Sequence, residues 1–122
     1  MIDHITLNVK DAKKSRQFFT EALAPLGYQV VMEYPGGVGF GIGGKPDFWI
    51  RKRTPSAGGT HVAFTSKERS KVDAFYGAAI KAGGKDNGKP GIREHYHPSY
   101  YGAFVLDPDG NNIEAVCHEA VD

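Results

Sequence analysis

Between residues 2 and 9 apolar and polar side chains alternate, with Ile2, Ile5, Leu7 and Val9 set largely against His4, Thr6 and Asn8. That period of two predicts a half-buried strand with His4 pointing away from the apolar face. The spacing then changes to the helical one. Asp11 is placed to cap a helix whose Phe18, Phe19, Ala22 and Leu23 share a side, and Pro25 and Gly27 stop it near Leu23. Short strands are expected near Gln29 to Glu33, Val38 to Ile42 and Phe48 to Lys52.

The same order then returns. A strand is predicted at His61 to Thr65 and a helix at about Ser70 to Ala82, stopped by Gly83 and Gly84. Strands follow at Ala103 to Leu106 and Asn112 to Cys117, joined by the turn Asp107-Pro108-Asp109-Gly110. Residue by residue, His4 matches His61, Phe18-Phe19 matches Phe75-Tyr76, Ala22 matches Ala79, and Gly27 matches Gly84. The chain therefore reads as two βαβββ modules, at about 1–56 and 57–122, inside one domain. The expected fold class is α+β, with the paired modules forming a curved mixed sheet around a cleft and the helices outside.

After Gly84 the offset between the copies grows, so the second carries an insertion. Residues 86–100 are its natural place: a polar loop with Gly88, Pro90, Gly91 and Pro98 that runs into Arg93-Glu94-His95-Tyr96-His97-Pro98-Ser99-Tyr100-Tyr101. A loop this rich in titratable and aromatic groups beside a cleft is a candidate lid or substrate contact.

Composition narrows the class of partner. The chain has 122 residues, and 15 basic against 14 acidic side chains leave a net charge of +1, so no overall field favours nucleic acid or an anionic membrane. The single cysteine, Cys117, excludes an intrachain disulfide and suits a small apolar position in a terminal strand. No basic start precedes an apolar run, and none approaches membrane-spanning length, so the expectation is a soluble, cytoplasmic protein.

Alternation also places the chemistry. His4, Thr6 and Asn8 share one face, His61, Ala63 and Thr65 another, and Asn112, Glu114 and Val116 a third, each opposite an apolar face. If those faces turn inward, His4, His61 and Glu114 meet in the cleft. Two imidazoles and a carboxylate hold a divalent transition metal and leave other positions open for substrate or water.

Taken together these residues resemble the vicinal oxygen chelate superfamily, which includes glyoxalase I, extradiol dioxygenases and fosfomycin-resistance thiol transferases. The resemblance spans essentially the whole chain. It rests on the paired modules, on Asp3-His4-Ile5-Thr6-Leu7 and Thr60-His61-Val62-Ala63-Phe64, and on the segment from Ala103 through Asp107-Pro108-Asp109-Gly110 to Glu114. It implies a metal held by His4, His61 and Glu114, with zinc, manganese, iron, nickel or cobalt as the ion. It further implies a small substrate chelated through neighbouring oxygens, lyase or isomerase chemistry as in the short members, and a homodimer. The site then lies within one chain or across two.

Glyoxalase I has a further carboxylate ligand where this chain has Phe48-Trp49-Ile50, so the donor set is closer to that of the dioxygenase and thiol-transferase branches. The thiol transferases' potassium-binding region has no counterpart here, and most extradiol dioxygenases are longer.

A proton carrier is also required, and the candidates are His95, Tyr96, His97, Tyr100 and Tyr101, with His97 and Tyr101 placed beside Glu114 in the catalytic set. Substrate contacts are expected from Phe40, Trp49, Arg93, Tyr96 and Tyr100. The rival class is a non-catalytic binder resembling bleomycin-resistance proteins, which sequester a cationic drug in an acidic groove without metal; the balanced charge and the three donors distinguish this chain from it. Gly39 to Gly44 contains a formal G-x-G-x-x-G, but Lys45-Pro46-Asp47 leads into a strand where a dinucleotide site needs a helix. Glycines alternating along a strand more simply permit close backbone approach to a ligand.

Overall fold

In the computed structural model residues 1–55 and 58–120 are described, so the expected module boundary at 56 and 57 lies outside them. The first module runs β1 (Ile5–Val9), α1 (Ala12–Leu23), a 3-10 turn (Ala24–Leu26), β2 (Gln29–Tyr34), β3 (Gly37–Ile42) and β4 (Lys45–Lys52). The second repeats the order with β5 (His61–Thr65), α2 (Arg69–Lys81), β6 (Lys85–Ile92), β7 (Tyr101–Leu106) and β8 (Asn112–Cys117). The architecture is α+β as the sequence pattern predicts, built as two mixed four-stranded sheets, β1-β4-β3-β2 and β5-β8-β7-β6. In each, the first strand pairs parallel to the last, and the other pairings are antiparallel. The curved sheet expected from the sequence is thus divided in two, with β1 and β5 as edge strands.

Local chemistry explains the elements. The Asp11 carboxylate accepts the Lys14 N–H at 3.1 Å and so satisfies a donor that the first turn of α1 leaves open. Gly27, at φ +90°, ends the 3-10 turn in a left-handed conformation that favours glycine. Phe19 projects from α1 and meets Phe40 and Phe48 of the first sheet, with Phe18 edge-on against Phe19. Phe48 in turn meets Phe64 of β5 edge-on, with ring centroids 5.2 Å apart. The helices pack on one another, and the apolar faces of both sheets share one core. The polar faces consequently look away from that core, each on its own sheet.

The modules are tied by polar contacts as well. Asp109, in the turn between β7 and β8, accepts the Lys10 N–H at 2.9 Å and stands 3.4 Å from the Ser15 hydroxyl of α1. Beneath that turn the buried Asp107 carboxylate accepts N–H groups from Asp109 and Asn111 at 2.9 and 2.7 Å, and the Asn111 amide at 3.0 Å.

Three expectations are revised. The strand predicted from residue 2 begins at Ile5, so His4 immediately precedes β1. The insertion predicted as loop over 86–100 is half strand, because β6 runs to Ile92 and only 93–100 connects it to β7. Its pairing with β7 shifts register on both sides of Gly88, so a real strand carries no clean alternation. Phe40, expected at the substrate, is 0 % exposed and packs on Phe19 and Phe48, on the apolar side of β3. No helix among the described residues is long and apolar enough to cross a membrane.

Candidate active site

On the polar face of the second sheet, Glu114 of β8 stands opposite Ala63 of β5 and Phe104 of β7. His61 opens β5 on that same face, and its Nε2 lies 2.7 Å from Glu114 Oε1. The other carboxylate oxygen accepts a hydrogen bond from the Tyr100 hydroxyl. Glu114 is only 1 % exposed although it points out of a sheet face, because these side chains close over it. Gly102 contributes by being small: a Cβ there would stand 3.1 Å from the Tyr100 ring and 3.4 Å from Glu114 Oε2. Burial, and after it the Glu114 carboxylate, push the Tyr100 hydroxyl pKa well above its usual value.

Behind Tyr100 lies a second polar layer, formed by the segment between β6 and β7. His97 and His118 stack with ring centroids 4.9 Å apart, and His97 Nε2 is 2.7 Å from His118 Nδ1. Both imidazoles meet the Tyr100 ring edge-on, at 5.4 and 5.2 Å. The Ser99 N–H donates to His97 Nδ1 at 3.0 Å, which requires that nitrogen to be unprotonated. Neutral His97 therefore carries its proton on Nε2 and donates it to His118 Nδ1. His118 was missed by sequence reasoning: it follows the last strand, where alternation no longer assigns a face. Its signal was its place two residues beyond Val116, on the continued face of Glu114.

Tyr101, named with His97 as a catalytic candidate, belongs to the other side of the sheet. Its hydroxyl donates to Asp73 of α2 at 2.5 Å and its ring lies under the Arg69 guanidinium. Alternation along β7 sends Tyr101, Ala103 and Val105 toward the helix, so Tyr100 is the tyrosine at Glu114. Arg93 lies across the Phe104 ring with its guanidinium donating to the Gly91 and Lys89 carbonyls at 2.9 and 2.7 Å. Tyr96 is exposed and packs between His95 and Tyr100.

His4 stands immediately before β1, beside the first sheet. Its Nδ1 is 2.7 Å from Asp3, which also binds Lys45 Nζ at 2.6 Å. Lys45 first, and His4 after it, hold the Asp3 carboxyl down at about 2. His4 lines a groove of about 540 Å³ with Thr6, Tyr34 and Trp49. A second groove, about 410 Å³, separates the two sheets, with Ile2 and Asp3 on one bank and His61 to Thr65 on the other. Among the described residues no three His, Cys, Asp or Glu side chains come together as a metal cluster. Two of the three predicted donors, His61 and Glu114, converge within the chain; His4 does not join them. A buried carboxylate and an imidazole nitrogen aimed at one point fit a divalent ion that takes a further donor from outside this face.

The paired βαβββ architecture has close structural counterparts. One is a glyoxalase/bleomycin resistance protein from Albidiferax ferrireducens T118, 26 % identical, with a TM-score of 0.84 over 96 % of this chain and 98 % of that one. Two more share the fold at lower identity. A glyoxalase/bleomycin resistance protein/dioxygenase family enzyme from Burkholderia phytofirmans PsJN has a TM-score of 0.75 at 19 % identity, covering 97 % of this chain and 98 % of its own. A glyoxalase-related enzyme from Fulvimarina pelagi has 0.74 at 20 %, covering 96 % and 87 %. No curated protein matches the sequence. The family model for the Glyoxalase/Bleomycin resistance protein/Dioxygenase superfamily matches residues 1–115, and the chain belongs to that superfamily.

Proposed function

We propose that this protein is a metal-dependent enzyme of the lyase or isomerase type, holding a small substrate through two neighbouring oxygens. The metal ligands in this reading are His61 and Glu114 of one copy and His4 of a second copy in a homodimer. The observation that carries it is the Glu114 carboxylate, 1 % exposed, drawn up to His61 Nε2 at 2.7 Å. Burying a carboxylate is costly unless a positive partner compensates it, and a divalent ion between these two groups is such a partner.

The third donor has a physical reason to come from another chain. His4 and the His61–Glu114 pair belong to sheets whose apolar faces share one core, so swinging one sheet onto the other would open that core. A second copy brings its own His4 without that cost, and β1 and β5, as edge strands, offer backbone groups for the approach. Zinc, manganese, iron, nickel and cobalt all accept such a donor set.

A bound ion supplies Lewis-acid polarisation of the substrate's oxygens and acidifies a hydroxyl held there. The chain's own residues do the rest. Tyr100, kept protonated by burial, holds Glu114 by donating to it rather than by taking a proton from substrate. His97, with Nδ1 taken by the Ser99 N–H and its Nε2–H donated to His118, carries no proton from substrate; the two imidazoles instead meet the Tyr100 ring edge-on and hold it against Glu114.

Metal content decides the reading first. The native protein is expected to take up one ion per chain, and the His61→Ala, Glu114→Ala double variant none; no uptake by the native protein would sink the proposal and favour a metal-free binder. Mixing then locates the third donor. When His4→Ala and His61→Ala chains are unfolded and refolded together, about a quarter of the native site number should return, because half the pairs are mixed and each mixed pair carries one intact site. No recovery would place the site within one chain.

A further inference from the structure

The groove beside His4 is built around a bare strip of backbone. On β3, Val38 and Phe40 enter the core, which leaves Gly37 and Gly39 on the opposite face, where Trp49 and Arg51 of β4 are their register partners. A Cβ at Gly39 would come within 2.9 Å of the Trp49 ring, so the missing side chain is what lets the indole lie down on the strand. Tyr34 completes the surface: its ring is 8° from parallel to the indole with centroids 5.8 Å apart, and it is 62 % exposed. The groove has room for about 540 Å³, in the range of sites for small molecules.

Charge sets the second requirement. The groove's carboxylate, Asp3, is already taken by Lys45 and His4. Arg51 remains, opposite Gly37, held by the Asn8 amide oxygen at 3.4 Å and by no carboxylate among the described residues. A preset aromatic platform over a glycine floor, with a guanidinium at its end, selects flat rings that carry an anionic group.

We infer that this groove binds a planar aromatic anion, an aromatic carboxylate or a compound of like shape and charge, with the ring on Tyr34 and Trp49 and the charge at Arg51. As a statement about substrate it rests on the function proposed above, since the ring would then lie next to His4. As a statement about binding it needs no metal.

Trp49 is the single tryptophan, so its fluorescence reports this groove alone. Metal-free full-length protein is titrated with 4-nitrobenzoate, with its neutral isostere 4-nitrobenzamide, and with cyclohexanecarboxylate as a competitor. Saturable quenching by 4-nitrobenzoate is expected, with the amide about five-fold weaker and the non-aromatic acid displacing little. Arg51→Gln should equalise acid and amide. Gly37→Val should abolish saturation: a Cβ there meets only the Ile50 carbonyl at 3.7 Å, so the strand tolerates it while the side chain fills the groove. An unchanged thermal melt confirms that this variant is folded, and Tyr34→Leu, which keeps the reporter, should weaken the acid at least as much as Arg51→Gln does.

Quenching that never saturates, equal affinity for acid and amide, or full binding by folded Gly37→Val would each overturn the inference. The His61→Ala, Glu114→Ala variant separates it from the proposed function: binding of 4-nitrobenzoate should be unchanged there, whatever the metal content of the native protein turns out to be.

Discussion

His97 Nε2 and His118 Nδ1 stand 2.7 Å apart, and the Ser99 N–H on His97 Nδ1 determines which of the two rings gives the proton. Nitrogen NMR should therefore find neutral His97 as the Nε2–H tautomer, with that proton exchanging slowly with water. In His118→Ala the tautomer should persist, because Ser99 still donates, but the Nε2 proton should exchange fast. An Nδ1–H tautomer in the native protein would contradict this assignment.

Tyr100→Phe removes the donor to Glu114 Oε2 and changes little else in shape. Leaving a buried carboxylate oxygen without that partner should cost about 1–3 kcal/mol in urea unfolding of the metal-free protein. Metal affinity should fall on the order of 10–100-fold in calorimetric titration, the usual consequence of losing a group that orients a ligand. Tyr101→Phe, which loses only its bond to Asp73, should leave metal affinity unchanged.

Lys45→Gln should release the Asp3 carboxyl. Asp3 titrates near 2 in the native chain against an ordinary 3.8, chiefly because Lys45 binds it and secondarily because His4 does. The folded value lies below the unfolded one, so the stabilisation is present above about pH 3.8 and fades as pH falls toward 2. Carbon NMR of the carboxyl should show its midpoint moving up toward 3.8 in Lys45→Gln, and a midpoint that stays near 2 would count against Lys45 as the main cause.

Phe40→Ala tests the reassignment of that residue from substrate contact to core. With its ring wholly buried between Phe19 and Phe48, truncation should cost about 3–5 kcal/mol, seen as a large drop in the thermal midpoint. Below that midpoint 4-nitrobenzoate should bind as in the native protein.

Where side chains alternated cleanly, the sequence could be read almost to the residue. His61 to Thr65 and Asn112 to Cys117 are strands with the predicted bounds, and their alternation put His61 and Glu114 on one face. Asp11 as a cap was legible because capping needs a short acceptor at one position. β6 was not legible, since Gly88, Pro90 and Gly91 carry no face preference and its register shifts twice. The tyrosine at Glu114 was within reach: counting the alternation of β7 back from Ala103 puts Tyr101 with the helix and Tyr100 with the carboxylate. What no local pattern encoded is that the two sheets share one core by their apolar faces, which keeps His4 apart from the other donors.

The Asp109 contacts to Lys10 and Ser15 show what each half owes the other. Separated from the second module, β1 to β4 would expose the Lys10 amide and the Ser15 hydroxyl and leave α1 without α2 to lie on. Carrying both halves on one chain makes their association depend on a linker rather than on concentration. It also lets them differ, one lining a groove with glycine and tryptophan and the other burying a carboxylate.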